Sequence, residues 1–184
     1  MSAQELLKSA EDHMQKAVER LHKEFQTIRT GRPSPHVLDK IEVDYYGTMN
    51  PIKGLGNISI QDGRTIMIQP YDKGSLKAIE QAIQKSDLGV NPNNDGSVIR
   101  LSFPPLTEDR RKELVKMVGK LAEEYRVTVR NARRDCDQNM KKLKGTISED
   151  EIKKHGDSLQ KLTDKYIKDI DKTLKDKEEE LMEI

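Results

Sequence analysis

Apolar residues recur along the chain with two different periods, and the places where the period changes divide the sequence into segments. Near the N-terminus Met14, Val18, Leu21, Phe25 and Ile28 follow at alternating steps of four and three, the spacing that holds one apolar stripe on a helix. This predicts a helix over residues 4–30. It ends where Gly31, Pro33 and Pro35 arrive, because glycine is a poor helix former, proline lacks a backbone donor, and the residue before a proline avoids the helical region. The period then drops to two. Ile41, Val43 and Tyr45 alternate with acidic residues, and Ile58 with Ile60, Ile66 with Ile68, and Ile99 with Leu101 and Phe103 repeat the pattern, which predicts short strands. Asp62-Gly63 supplies a hairpin turn between two of them. Helical spacing returns briefly at Leu76, Ile79 and Ile83, before Gly89 and the turn-rich run Asn91-Pro92-Asn93-Asn94-Asp95-Gly96.

After Pro104-Pro105 the helical period resumes through Leu114, Val118, Leu121, Tyr125, Val129, Ala132, Cys136, Met140 and Leu143. A helix over residues 107–144 would be roughly 57 Å long, too long to bury itself in an ordinary globular core. Gly145 can end it. Ser148 and Glu151 form a capping-box pattern, with Ile147 and Ile152 placed as a hydrophobic staple, for a last helix carrying Leu159, Leu162, Tyr166, Ile170, Leu174 and Leu181. Three long stripes that cannot bury themselves singly are satisfied together as a three-helix bundle. The expected fold is therefore α+β: an elongated bundle from residues 1–30 and 106–184, with a small β/α/β domain, residues 31–105, inserted between its first two helices. Both crossings carry prolines, Pro33 and Pro35 on one and Pro104 and Pro105 on the other, and are read as hinges.

Composition agrees with this reading. Charged residues make up 35% of the 184 and hydrophobic ones 34%, with no tryptophan, a balance suited to exposed helices rather than to a deep apolar pocket. The single cysteine, Cys136, cannot close an internal disulfide and favours a reducing, cytoplasmic setting. No apolar run is long enough to span a bilayer, and residues 1–10 lack a signal-peptide core, so a soluble, unprocessed protein is expected. The net charge of +1 conceals a gradient. Residues 107–145 hold twelve Lys and Arg against seven Asp and Glu, whereas residues 146–184 hold eight against twelve. The basic field is thus concentrated on one helix.

On that helix Arg126, Arg130, Arg133 and Arg134 recur at steps that place them on one face, and arginine's planar fork of donors suits RNA phosphates. The alternative is a solvated face with intrahelical ion pairs, since Glu123 lies three residues before Arg126. His13, His22, His36 and His155 lack the spacing of a metal cluster, and no cofactor is expected. Cys136 falls on the apolar stripe as a buried small hydrophobe, Tyr125 and Tyr166 are expected in the bundle core, and Tyr45 and Tyr46 inside the small domain. Gly54-Leu55-Gly56 lacks the lysine of a phosphate-binding loop, and no carboxylate pair stands out. A helical adapter for proteins and a hydrolase are the rival readings; the first predicts affinity with little salt dependence, the second turnover by the isolated chain.

Seven separated motifs carry a family pattern. They are Arg29-Thr30-Gly31-Arg32-Pro33-Ser34-Pro35; Asp44-Tyr45-Tyr46-Gly47; Ser86-Asp87-Leu88-Gly89-Val90-Asn91-Pro92-Asn93; Pro104-Pro105-Leu106-Thr107-Glu108-Asp109-Arg110-Arg111-Lys112; Val129-Arg130-Asn131-Ala132-Arg133-Arg134-Asp135; Gln160-Lys161-Leu162-Thr163-Asp164; and Lys177-Glu178-Glu179-Glu180-Leu181-Met182. In this order, over nearly the whole chain, they resemble the bacterial ribosome recycling factor family. Pro33 departs from the small residue expected there. The resemblance implies an L-shaped, monomeric, non-enzymatic protein. It would bind large-subunit ribosomal RNA and act with elongation factor G and GTP to split the post-termination ribosome. It also implies RNA contacts for Arg126, Arg130, Arg133 and Arg134, and for Arg29 and Arg32 at the bend. For the last two, capping a helix C-terminus is the alternative.

Overall fold

The computed structural model describes residues 1–183. It divides into two compact units: a helical one, Met1–Phe25 with Lys112–Glu179, and a sheet-bearing one, Gln26–Arg111 with the C-terminal residues from Glu180.

Helix α1 (Ala3–Gln26) starts from a reciprocal box that the apolar pattern does not reveal. Ser2 Oγ accepts from the Glu5 backbone N–H at 3.1 Å, and the Glu5 carboxylate accepts from the Ser2 N–H at 3.1 Å. α1 ends at Gln26, short of residue 30. Beyond it Thr30 is buried and its Oγ1 accepts from the Arg32 N–H at 3.1 Å, a local side-chain bond that competes with continued helix. The expected helix over residues 107–144 is Glu108–Lys141, called α4 below, with Thr107 Oγ1 capping the Arg110 N–H at 3.1 Å. Gly145, at φ +91, reverses the chain. The last helix, Glu149–Met182 and called α5, is capped by Ser148 Oγ on the Glu151 N–H at 3.1 Å. The acids Glu108, Asp109, Glu149, Asp150 and Glu151 fill the first turns of these two helices, where the positive end of the helix dipole favours them.

Every pair of these helices is joined within the helical unit. Cys136 Sγ on α4 donates to the Leu6 carbonyl of α1 at 3.5 Å, Tyr166 on α5 donates to Glu11 of α1 at 3.2 Å, and Arg126 on α4 grips Asp171 of α5 at 2.7 Å. Between them lie Met14, Leu21, Val118, Ala122, Val129, Leu159 and Ile170, all buried. Burying each large apolar side chain contributes about 1.5–3 kcal/mol before the entropy of ordering it. Cys136 is buried as expected, and burial, with nearby Asp137, pushes its thiol above the usual range. Tyr166 is core, whereas Tyr125 is only partly buried.

In the sheet-bearing unit β1 (Glu42–Tyr45) and β2 (Thr48–Pro51) form an antiparallel hairpin closed by Tyr46 at φ 50 and Gly47 at φ 83. β2 carries no apolar alternation and was not foreseen, nor was the single turn α2 (Ile52–Leu55). A four-stranded antiparallel sheet follows, in the order β3-β4-β6-β5. Its strands are β3 (Gly56–Gln61), β4 (Thr65–Pro70), β5 (Pro92–Asn94) and β6 (Ile99–Ser102). β5 arises from the run read as turns. It sits at the sheet edge, where a proline's missing donor does no harm. The Asp95 carboxylate closes the β5–β6 turn. It accepts from the Val98 and Ser97 N–H groups at 2.9 Å and pairs with Arg100, which together hold it down at about 2. Helix α3 (Leu76–Gln84) lays Leu76, Ile79 and Ile83 on the core that Ile66, Ile68, Ile99 and Leu101 form from the sheet.

Ile60 falls in a strand as its spacing predicts, in register with Ile66, and is 46% exposed on the edge strand β3. One expectation here fails. Tyr46, expected inside, is 82% exposed: its left-handed turn position aims it outward, and only Tyr45 turns in, donating to Asp72 at 2.8 Å.

Gly56 marks a close approach. A Cβ there would lie 2.6 Å from the Gln69 carbonyl oxygen and 2.8 Å from Pro70 Cα, both backbone atoms of the neighbouring strand. Its φ of −169 is ordinary extended backbone, so space and not torsion demands glycine. Gly56→Ala is expected to destabilise the protein by about 1–3 kcal/mol through forced strand separation. Urea unfolding would check it, and an unchanged midpoint would show that β3 can move aside.

Candidate nucleic-acid interface

The basic face of α4 lies wholly in the helical unit, and its four arginines are not equivalent. Arg126 is fixed. Its side chain is 18% exposed; Nε donates to Asp171 at 2.9 Å and Nη1 to Glu123 at 2.9 Å. Burial opposes its charge, but the two carboxylates outweigh that and hold the guanidinium above its ordinary value. Arg130 is exposed and reaches back to the same Glu123 at 3.1 Å, so that Arg126 and then Arg130 hold the Glu123 carboxyl below its usual range. Arg133 is half-buried and Arg134 exposed, and neither makes an ion pair or side-chain hydrogen bond among the described residues. The face therefore combines two arginines paired with acids and two that make no ion pair among the described residues. The spacing from Glu123 to Arg126 was legible in the sequence. Asp171 was not, because it comes from a helix separated by 45 positions.

A groove of about 370 Å3 between α1 and α4 is lined by His13, Lys16, Arg20, Glu24, Glu124 and Tyr125 among others, with charges of both signs. Burial, followed by Glu24, pushes the Tyr125 phenol up. Among the described residues no group of three or more His, Cys, Asp or Glu is arranged to hold a metal ion. No helix among them is long and apolar enough to cross a membrane.

The other two candidate arginines lie in the sheet-bearing unit. Arg32 is exposed and pairs with Glu183 at 2.7 Å, a contact across 151 positions with no sequence signal. Arg29 is turned inward: Nη2 donates to the Pro104 carbonyl, and Cζ stands 5.1 Å from the centre of the Phe103 ring. Burial, then the charge of Arg110, lowers its pKa. Neither arginine makes a C-terminal helix cap, since α1 ends before them. Pro35 is the first residue of a 3-10 turn, Pro35–Leu38, capped by Ser34 Oγ on the His36 N–H at 3.3 Å; Pro33 is half-buried, and Pro104 and Pro105 are exposed.

The family model described as ribosome recycling factor matches residues 21–182 of this chain. The chain belongs to the ribosome recycling factor family. It is 56% identical over 183 residues to the ribosome-recycling factor of Carboxydothermus hydrogenoformans, covering 98% of this chain and 99% of that one. It is 50% identical over 183 residues to that of Brevibacillus brevis, with the same coverage. Its fold matches a solution structure of a ribosome recycling factor with a TM-score of 0.81 at 46% identity, covering all of this chain and 99% of the other. It also matches, with a TM-score of 0.69 at 42% identity and complete coverage of both chains, a structure from models of the T. thermophilus ribosome recycling factor and the E. coli elongation factor G bound to the E. coli post-termination complex. The α+β architecture of a sheet-bearing unit and a long helical one is thus that of a ribosome recycling factor.

Proposed function

We propose that this protein splits the post-termination ribosome into subunits together with elongation factor G and GTP, acting in the cytoplasm by binding and displacement and catalysing no covalent step of its own. The observation that carries the reading is the match to ribosome recycling factors along the whole chain, in both units, including the solved relative placed with elongation factor G on a post-termination complex. In this reading residues 1–30 and 106–184 form the arm that binds ribosomal RNA. Residues 31–105 are the inserted lever on which the GTPase acts, and the segments bearing Pro33, Pro35, Pro104 and Pro105 are its hinges. Arg133 and Arg134 are the leading phosphate contacts, because no acid among the described residues pairs with them; Arg130 and Arg126 contribute only as far as Glu123 and Asp171 release them. Arg32 contributes on the same condition, against Glu183.

The test is light scattering of post-termination ribosomes mixed with this protein, elongation factor G and GTP. Subunit splitting that requires all three components is expected. Intact ribosomes with every component present would reject the function.

A further inference from the structure

The family resemblance implies an RNA contact for Arg29, but its geometry points elsewhere. A phosphate ligand should offer its donors to solvent, as Arg134 does. Arg29 instead gives Nη2 to the Pro104 carbonyl, lays its guanidinium over Phe103, and buries Nε with no hydrogen-bond partner among the described residues. Phe103 is itself fixed. It is a buried member of the sheet-unit core, and its backbone N–H donates to the Arg64 carbonyl at 3.0 Å. On the other side of Arg29, Thr30 is buried and bonded to the Arg32 N–H.

The sequence explains why a side chain has this role. The first crossing contains Pro33 and Pro35 and the second Pro104 and Pro105, and proline has no N–H, so at these four positions the two segments offer each other no backbone donor. Arginine can donate in the plane of its fork while its face stacks on an aromatic ring; lysine, a compact point charge, cannot do both.

We propose that Arg29 is a positioning residue that clasps the two proline-bearing crossings so that they bend as one joint, and that it does not contact RNA. The proposal rests on the functional reading above only for its kinetic consequence; the clasp itself is testable on the free protein.

The experiment uses the full chain with Cys136 replaced by alanine and dyes on cysteines introduced at the exposed Ser97 and Lys154. It compares the parent with Arg29→Lys, Arg29→Ala and Arg32→Ala by single-molecule fluorescence transfer, by ribosome affinity against salt, and by splitting rate at saturating protein. Arg29→Lys and Arg29→Ala should both broaden the distance distribution. They should slow splitting about tenfold, as loss of positioning does, with affinity and salt slope unchanged. Arg32→Ala should leave the distribution as in the parent. A merely structural role would lower the melting temperature and leave the saturated splitting rate alone. If Arg29→Ala does not fold, the lysine variant, which keeps the charge, decides the matter. An unchanged distribution in Arg29→Lys overturns the clasp. So does a drop in salt slope of about 0.7–0.9 in Arg29→Ala that Arg29→Lys restores, because that is the signature of a phosphate contact. Failure of the parent to split ribosomes would reject the function and leave the fluorescence comparison to judge the clasp.

Discussion

Replacing residues 31–105 by a short flexible linker should leave a folded helical protein that binds ribosomes and cannot split them. The helical unit has its own core, with Met14 and Leu21 from α1, Val118 and Val129 from α4, and Leu159 and Ile170 from α5, and each pair of helices carries its own polar tie. The ends to be joined are close, since Arg29 reaches the Pro104 carbonyl directly, so a few residues suffice. Closing so short a loop costs no more than the native insertion it replaces, given the slow growth of loop entropy with length. Circular dichroism should show one cooperative helical transition. Ribosome affinity should stay within about threefold of the parent, because Arg133 and Arg134, the proposed phosphate contacts, are retained. Splitting with elongation factor G and GTP should fall to background. Full-rate splitting by the shortened protein would mean that the sheet-bearing unit is not the lever.

Where the sequence was informative, each residue's role was set by its near neighbours. The steps of three and four that located α4 and α5 are properties of a helix face, and Ser148 with Glu151 acts within one turn, so these elements could be read before any fold was known. Asp62-Gly63 specified its turn locally, with both residues at positive φ. What escaped was set by distant partners. β2 and β5 lack an apolar pattern of their own and are strands because β1 and β6 pair with them. Tyr46 looked like core by composition and is exposed by the turn it occupies. The same division runs through the candidate interface. The arginine face follows from periodicity, but the pairing of Arg126 with Asp171, and of Arg32 outside that face with Glu183, depends on acids 45 and 151 positions away. Arg29 shows the limit most clearly: the motif around it marks the family, and only the fold shows that its Nη2 is already given to the Pro104 carbonyl.

The distinction among the arginines predicts a sharp contrast between variants. Arg133→Ala with Arg134→Ala removes two cations that no acid among the described residues engages, from positions where alanine is the better helix former, so the fold should hold. If both meet phosphates, ribosome affinity at physiological salt should fall by about 10- to 100-fold. The slope of log affinity against log salt should shrink in magnitude by about 1.4–1.8, since each lost contact returns 0.7–0.9. Arg126→Ala should behave differently. It frees Asp171 and Glu123, both half-exposed and able to take water, so it should cost about 1 kcal/mol of stability and leave the salt slope alone. Glu123→Gln should act in the opposite sense to the double variant, because it releases Arg130 from its 3.1 Å pair and adds a donor to the face, steepening the slope. Binding titrations between low and physiological salt, run beside thermal melts of the same four proteins, separate these outcomes. Equal slopes for the parent and the double variant would remove Arg133 and Arg134 from the RNA contact, and a flattened slope for Arg126→Ala would show that the ribosome competes successfully with Asp171 for that side chain.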